Sequence, residues 1–204
     1  TGAREMVGRE VSPEDLLREI LRDRDFYDES GGGVTFSGGE PLLQIDFLEV
    51  LLNQLRSRGI RTAVDTCGAV PWDSIDRVSR LTDMFLYDLK HVDDSVHRKF
   101  TGSGNHLVLE NLRRLSGGET PLVVRIPVVK GFNSDRSSMG EMAAFLSEIP
   151  GISYVELLRC HDMARGKYQG LGRQHRCYVP KESSLFQFAA MLKNAGVPLR
   201  GVYS

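Results

Sequence analysis

Glycines crowd one short segment of the chain and flank a run of residues that favours a β-strand. Five of the eleven residues in segment 31–41 are glycine, on both sides of the run 34–36, and Ser37, Gly38, Gly39 and Glu40 follow that run. Glycines at the exit of a strand let backbone groups approach a ligand closely, and Glu40 can accept a hydrogen bond from an amine or bind a cation. Two tight turns around an ordinary strand would contain the same glycines, so both interpretations stay open.

Charged side chains stand at the ends of the other β-like runs. Asp65 follows the run 62–64, and Asp88 and Lys90, two residues apart, leave the sheet on the same side at the end of the run 84–89. They could bracket a zwitterionic ligand, although a plain salt bridge between them, or a turn-forming role for Asp65, would explain the same residues. Arg125 lies within the run 122–128 and needs an anionic partner if it points inward, and His161 follows the run 154–158.

Lys90 also permits a different chemistry. A lysine at the end of a barrel strand can form a Schiff base with a carbonyl substrate, as barrel aldolases do. The residues alone therefore predict a set of groups suited to an amino-acid-like ligand, with a lyase as an alternative.

The composition excludes several classes of protein. The 204 residues include 26 Lys plus Arg and 27 Asp plus Glu, a net charge of −1, which argues against nucleic-acid partners and anionic membrane surfaces. The apolar runs are far shorter than the roughly 18 residues of a membrane span. Cys67, Cys160 and Cys177 form no CxxC pair, so neither a disulfide framework nor a zinc ribbon is predicted, and the thiols are typical of a reducing, cytoplasmic compartment.

Strand-like and helix-like segments alternate along the chain. Ser12 and Pro13 predict the start of the first helix, and a helix that begins near Asp46 should bury Phe47 and end at Gly59. Further helices are predicted near 74–80, 105–115, 138–147 and 183–195, and strands at 34–36, 62–64, 84–89, 122–128, 154–158 and 199–203.

This alternation predicts parallel βαβ units in one α/β domain, either a (β/α) barrel or an open doubly wound sheet. In a barrel the chemistry lies at the carboxyl ends of the strands, where the charged residues of this chain fall. A doubly wound nucleotide-binding domain would concentrate its signal in one GxGxxG loop, and the chain has none. We therefore predict a partial barrel.

Five short motifs stand in order along the chain, and all five resemble the motifs of one protein family. The string SGGGVTFSGGEPLLQ at 30–44 resembles the family signature. The other four are DTCG at 65–68, DLK at 88–90 followed by His97, Thr101, Gly102 and Asn105, RIPVVKGFN at 125–133, and ELLRCH at 156–161 followed by Lys167, Tyr168, Leu171 and Gly172. Together these motifs resemble those of the glycyl-radical-enzyme activating enzymes of the radical S-adenosylmethionine class. In this chain Lys130 replaces a usual proline, and Arg159 and Cys160 replace a usual Pro-Tyr pair.

The resemblance implies a fold and a binding site. The fold is an incomplete (β/α)6 barrel, and the site binds S-adenosylmethionine. The turn of Ser37, Gly38, Gly39 and Glu40 would bind the methionine amino group. Asp88 and Lys90 would lie near the methionine carboxylate, with Asp65 nearby around a monovalent cation, Arg125 in the same site and His161 against the nucleoside.

One departure concerns the 4Fe–4S cluster of this class. Its three cysteines follow a CxxxCxxC pattern that this chain lacks, so we expect them, with the first barrel strand, upstream of Thr1. The residues Thr1, Gly2 and Ala3 resemble the end of a ferredoxin-like insert that holds additional 4Fe–4S clusters in longer members. Residues 1–11 are then the tail of that insert, and residues 12–204 are the carboxyl-terminal portion of the barrel.

The implied activity is the reductive cleavage of S-adenosylmethionine to a 5′-deoxyadenosyl radical, which installs a glycyl radical on a partner enzyme. Its partners would be that glycyl radical enzyme and reduced flavodoxin or ferredoxin as electron donor. Without the cluster segment, the 204-residue chain is expected to be inactive. The alternative is a barrel without a cluster that binds a ligand or a partner.

Overall fold

The structure is a computed structural model that describes residues 8–161, 166, 170–172, 178–201 and 203. Its five strands are β1 (Gly33–Phe36), β2 (Arg61–Thr66), β3 (Met84–Asp88), β4 (Leu122–Val128) and β5 (Ile152–Arg159). Its α-helices are α1 (Pro13–Ile20), α2 (Arg24–Ser30), α3 (Ile45–Arg56), α4 (Trp72–Ser79), α5 (Asp94–Thr101), α6 (His106–Ser116), α7 (Arg136–Ser147) and α8 (Glu182–Asn194). Short 3₁₀ helices, Leu21–Asp23 and Pro41–Gln44, follow α1 and the loop after β1.

The five strands form one parallel sheet in sequential order, β1-β2-β3-β4-β5. An open doubly wound sheet reverses its strand order at a switch point, whereas a barrel adds each new strand beside the last one. The order therefore confirms the predicted partial barrel and excludes the doubly wound alternative.

The two faces of the sheet differ in burial. Alternate residues on one face lie fully buried under the helices, among them Val64, Phe85, Tyr87, Val124, Ile126 and Val155. The opposite face, which we call the inner face, bears half-buried residues that the register places side by side: Asp65 beside Leu86, Asp88 beside Arg125, and Arg125 beside Glu156. The hydrophobic core thus lies between sheet and helices, and the inner face bears the polar groups.

Side-chain caps fix where several helices begin. The Ser12 hydroxyl accepts a hydrogen bond from the Asp15 amide at 3.1 Å, which confirms the predicted start of α1. Asp93 and Asp135 cap α5 and α7 in the same way. None of the described helices is long and apolar enough to cross a membrane.

Some sequence predictions differ from the structure. Phe47 is half-buried, because the buried stripe of α3 follows the helical spacing of Leu48, Leu51, Leu52 and Leu55. The predicted strand at 199–203 reduces to one parallel bridge between Leu199 and Val155 within the described residues, and residues 202 and 204 lie outside them.

The helices α2 and α5 were not predicted, since both are short and mostly polar. Residues 1–7 of the predicted insert tail also lie outside the described residues.

Candidate functional site

A row of three charged side chains crosses the inner face of the sheet. Arg125 on β4 donates hydrogen bonds to Asp88 on β3, from Nε at 3.2 Å and Nη2 at 2.9 Å, and its Nη2 also donates to Asp65 on β2. The three side chains are only 18 to 23% exposed. We call these residues the Arg125 row. Arg125 thus has the anionic partners that its position in a strand required, and Asp88 pairs with Arg125 rather than with Lys90 in the described part of the chain.

The Arg125 row has a fixed charge. Burial acts to lower the pKa of Arg125, but the hydrogen bonds and charges of Asp65 and Asp88 outweigh burial and raise it. With one guanidinium between two carboxylates, the row has a net charge of −1 and can attract a cation or an ammonium group.

The glycine-rich turn after β1 joins this row through Ser37. The Ser37 hydroxyl donates a hydrogen bond to Asp65 Oδ2 at 3.0 Å. Gly38 has a φ of +131°, a conformation that residues with a Cβ rarely adopt. Neither Gly38 nor Gly39 has another atom within 4 Å of the place a Cβ would occupy. The backbone of the turn is therefore open to a ligand beside Asp65.

Glu40 ends this turn, and its carboxylate accepts four hydrogen bonds from the protein. Oε1 accepts from the Leu42 amide at 3.2 Å and the Thr66 hydroxyl at 2.8 Å. Oε2 accepts from the Cys67 amide at 3.0 Å and the Cys67 thiol at 3.2 Å. A carboxylate offers about four acceptor sites, so Glu40 ties the glycine turn to the end of β2. Sequence reasoning missed this role, and the predicted contact between Glu40 and a ligand stays a prediction.

The Cys67 thiol remains protonated beside Glu40. Burial raises the pKa of Cys67, and the Glu40 carboxylate raises it further, although the charge of Lys90 acts in the opposite direction. A protonated thiol can donate to Glu40 at neutral pH. Within the described residues, no group of His, Cys, Asp and Glu side chains could hold a metal ion, and Cys177 lies outside those residues.

Residues of β3 and α6 contact the turn after β2 and fix its position. Gly68 has a φ of +66°, and a Cβ there would lie 1.7 Å from the Tyr87 hydroxyl. That hydroxyl donates to the Val108 carbonyl at 2.7 Å, and Asn111 donates to the carbonyls of Gly68 and Val70 at 2.8 Å each. Burial raises the pKa of Tyr87, which keeps its hydroxyl a donor. Asn111 is a positioning residue with no signal in the sequence.

Lys90 is positioned by a buried asparagine. Asn133, fully buried, donates to the carbonyls of Lys90 at 2.8 Å and Pro127 at 2.9 Å, and accepts from the Val129 amide at 2.8 Å. No ion pair or hydrogen bond to the Lys90 ammonium occurs among the residues that the structure describes. Its charge is therefore available to an anionic ligand group.

The motif residues that follow β3 form hydrogen bonds within their own loop and helix. His97 Nδ1 lies 2.8 Å from the Ser103 carbonyl, and Asn105 donates to the carbonyls of His91 and Val92. His91 Nδ1 accepts from the Asp93 amide at 2.9 Å, and burial lowers the pKa of His91. These hydrogen bonds shape the loop after Lys90.

His161 lies at the edge of the described segment. It is exposed and follows β5 by two residues, so its predicted contact with a nucleoside stays a prediction. The motif residues Lys167 and Tyr168 lie outside the described residues. Of the site residues predicted from the sequence, the structure brings together Ser37, Gly38, Gly39, Asp65, Asp88 and Arg125. Lys90 lies close enough to Cys67 for its charge to act on the thiol. This arrangement can bind an ammonium group beside Asp65 and a carboxylate beside Lys90.

A family model described as the Radical SAM superfamily matches residues 2–143, more than half of the chain. The chain belongs to the radical SAM superfamily. Within it, the chain is 35% identical to a pyruvate formate-lyase-activating enzyme of Staphylococcus epidermidis, over 80% of this chain and 68% of that protein. This relative confirms the resemblance to the glycyl-radical-enzyme activating enzymes, and the chain belongs to that family.

Two further comparisons agree. The trans-4-hydroxy-L-proline dehydratase activating enzyme of Clostridioides difficile is 42% identical over 85% of this chain and 58% of its own length. A crystal structure of a domain of pyruvate-formate lyase-activating enzyme from Bacteroides vulgatus matches with a TM-score of 0.71 and 34% identity, over 83% of this chain and 98% of that one. The chain spans little more than half the length of the first curated relatives it matches.

Proposed function

We propose that this chain is the S-adenosylmethionine-binding barrel portion of a glycyl-radical-enzyme activating enzyme. The observation that supports this most directly is the Arg125 row beside an open glycine turn, at the carboxyl ends of parallel strands, in a chain of this family. The radical SAM family implies both S-adenosylmethionine and a 4Fe–4S cluster.

The groups of the site fit the methionine end of that ligand. The open turn at Gly38 and Gly39, with Asp65, would receive the ammonium group. Lys90, with Asp88 and Arg125 beside it, would receive the carboxylate, and His161 would contact the nucleoside. When bound, S-adenosylmethionine supplies the carbon radical chemistry of the family, while the residues of this chain bind the ligand and orient it.

The cluster does not fit the described residues, which contain no group of ligands for a metal. We therefore assign its CxxxCxxC loop, and a barrel strand that pairs with β1, to a segment before Thr1. Residues 1–11 would then end a ferredoxin-like insert with further 4Fe–4S clusters, and residues 12–204 would form the rest of a six-stranded partial barrel. The 204-residue chain alone should cleave no S-adenosylmethionine.

The partner in this proposal is a glycyl radical enzyme, and the electron donor is reduced flavodoxin or ferredoxin in the cytoplasm. A trans-4-hydroxy-L-proline dehydratase is the first partner to test, because the C. difficile relative is named as the activating enzyme of that dehydratase.

The test uses the protein encoded by the complete gene, reconstituted with iron and sulfide without oxygen and reduced in the presence of S-adenosylmethionine and the dehydratase. We expect 5′-deoxyadenosine by chromatography and a glycyl radical signal by electron paramagnetic resonance. Asp65→Asn and Lys90→Ala should each lower both signals at least about tenfold, because each removes a charged contact. Glu148→Gln, at an exposed residue of the helix end, should change neither.

Two results would contradict the proposal. If the reconstituted protein binds S-adenosylmethionine without cleaving it, the binding module without radical chemistry replaces it. If a carbonyl compound becomes fixed to Lys90 on borohydride reduction, the Schiff-base lyase replaces it.

A further inference from the structure

The Glu40 carboxylate is already fully supplied with donors by the protein, although its charge would attract a ligand ammonium group. Its four hydrogen bonds come from the Leu42 amide, the Thr66 hydroxyl, and the amide and thiol of Cys67. A carboxylate offers about four acceptor sites. An ammonium group can therefore form a well-directed hydrogen bond to Glu40 only if it takes the place of one of these donors.

Three of the four donors are fixed by the fold. The amides of Leu42 and Cys67 belong to the backbone, and the first lies in the short 3₁₀ helix that Glu40 caps. Thr66 is only 2% exposed, and its hydroxyl also accepts from the Gly68 amide at 2.9 Å. Displacement of any of the three would leave a polar group of the backbone or the protein interior without its partner, at a cost in free energy.

The Cys67 thiol is the donor that can leave. A thiol is a weak hydrogen-bond donor, and this one lies 3.2 Å from Glu40 Oε2 on a half-buried side chain. Rotation about the bond between Cβ and Sγ turns the hydrogen away without moving the sulfur, which the Ala69 amide also contacts through a hydrogen bond. Because burial and the Glu40 carboxylate raise the pKa of Cys67, the thiol keeps its hydrogen at neutral pH.

The surroundings of Cys67 suit an amino-acid ligand, and this step rests on the proposed function. The charge of Lys90 acts on Cys67, and the open backbone of Gly38 and Gly39 leads into Glu40. An amino acid carries its ammonium and carboxylate groups on one carbon atom. A ligand whose carboxylate lies beside Lys90 therefore brings its ammonium group to the Cys67 side of Glu40.

We propose that the ligand ammonium group displaces the Cys67 thiol from Glu40 Oε2. Without ligand, the thiol satisfies this oxygen. With ligand, the ammonium group donates a charge-assisted hydrogen bond, which is stronger than the thiol bond it replaces, and the thiol hydrogen turns away. Cys67 is then a positioning residue that holds the Glu40 carboxylate in place and sets the affinity of the site for the ammonium group.

Replacement of Cys67 by serine and by alanine gives opposite predictions. A serine hydroxyl is a stronger donor than a thiol and harder to displace, so Cys67→Ser should weaken methionine binding about fivefold. Cys67→Ala leaves one acceptor site of Glu40 free, so it should tighten methionine binding about threefold. A residue that only maintained the turn would weaken binding in both variants.

Ligand-observed NMR titrations of the 204-residue chain and its variants measure these dissociation constants. The ligands are methionine, methylthiobutyrate, which is methionine without its amino group, and adenosine. Neither Cys67 variant should change the last two by more than about twofold, because these ligands carry no ammonium group. The matched control is Ser137→Ala, which removes a hydroxyl donor 3.1 Å from the exposed carboxylate of Glu141 and should match the unmodified chain for all three ligands.

Raman spectroscopy follows the thiol itself. The S–H stretching band of Cys67 is identified by its loss in Cys67→Ala. We expect this band to move to higher frequency when methionine binds, because the hydrogen bond to the carboxylate is broken, and to stay in place with methylthiobutyrate.

The other outcomes separate this inference from the proposed function. Weaker methionine binding in both Cys67 variants, no change in either, or an equal response of methylthiobutyrate overturns the displacement and leaves the proposed function standing. Adenosine binding without methionine binding does the same, whereas binding of neither ligand to the unmodified chain overturns both. If Cys67→Ala fails to fold, Cys67→Ser and the shift of the S–H band decide.

Discussion

At the scale of single residues, the charged groups of the inner face divide by where their hydrogen bonds go. Glu40 uses its four acceptor sites on Leu42, Thr66 and Cys67, and Arg125 is paired with two carboxylates. Lys90 and Glu156 have no such partners among the described residues. The first two groups set the geometry of the site, and the last two are available to a ligand.

Replacement of Arg125 by methionine tests how far the row stabilises the fold. Arg125→Met leaves Asp65 and Asp88 without their counter-charge while both are mostly buried, so we expect the free energy of unfolding to fall by about 3 kcal/mol. Urea unfolding at pH 7 measures it.

Arg77 provides the matched control, because it also bridges two carboxylates, Asp46 and Glu49, but its side chain is 41% exposed. Arg77→Met should cost much less than Arg125→Met, since exposed ion pairs contribute little to stability. Equal losses for the two variants would show that the Arg125 row is solvated like a surface pair.

At the scale of elements, the turn after β2 links three elements, namely β2, β3 and α6. Gly68 leaves room for the Tyr87 ring of β3, the Tyr87 hydroxyl reaches Val108 of α6, and Asn111 of α6 returns to the Gly68 carbonyl. Cys67 stands on this turn and Asp65 in the strand that leads into it, so the position of the turn sets where Cys67 donates to the Glu40 carboxylate.

Gly68→Ala tests this connection. A Cβ at Gly68 would overlap the Tyr87 hydroxyl, and the positive φ adds backbone strain, so we expect a loss of more than about 3 kcal/mol in the free energy of unfolding. The control is Gly59→Ala, which has nearly the same φ of +68° but nothing within 4 Å, and which should cost only about 1 kcal/mol of strain. If thermal unfolding gives equal losses, the ring of Tyr87 moves aside without cost.

The same contacts explain what could be predicted from the sequence. The bounds of β4 follow from a local run of mostly apolar, β-branched residues. The barrel follows from charges that recur at the ends of such runs, and both patterns are visible among residues close in sequence. The role of Asn111 rests on carbonyls 41 and 43 positions away. The donors to Glu40 from the last residue of β2 and the turn after it are 26 and 27 positions away. These hydrogen bonds between distant residues form only when strands and helices pack, so no local sequence pattern predicts them.

At the scale of the whole molecule, the sheet stabilises the fold through one face and forms the site on the other. Val124 is fully buried under the helices, whereas Leu86, on the inner face beside Asp65, is half-buried. The free energy of unfolding should therefore respond to the helix-facing residues, and ligand affinity to the inner ones.

Truncation of one residue on each face separates these two responses. Val124→Ala opens a cavity between sheet and helices, and we expect it to lower the free energy of unfolding by about 2 kcal/mol with adenosine and methionine affinities unchanged. Leu86→Ala removes more carbon atoms but should cost about 1 kcal/mol or less, because its side chain already meets solvent, and it should weaken the ligands that lie across Asp65. Urea unfolding and NMR titration of the two variants measure both effects. A larger stability loss for Leu86→Ala than for Val124→Ala would mean that the inner face is packed as tightly as the core, which would leave no room there for the ligand.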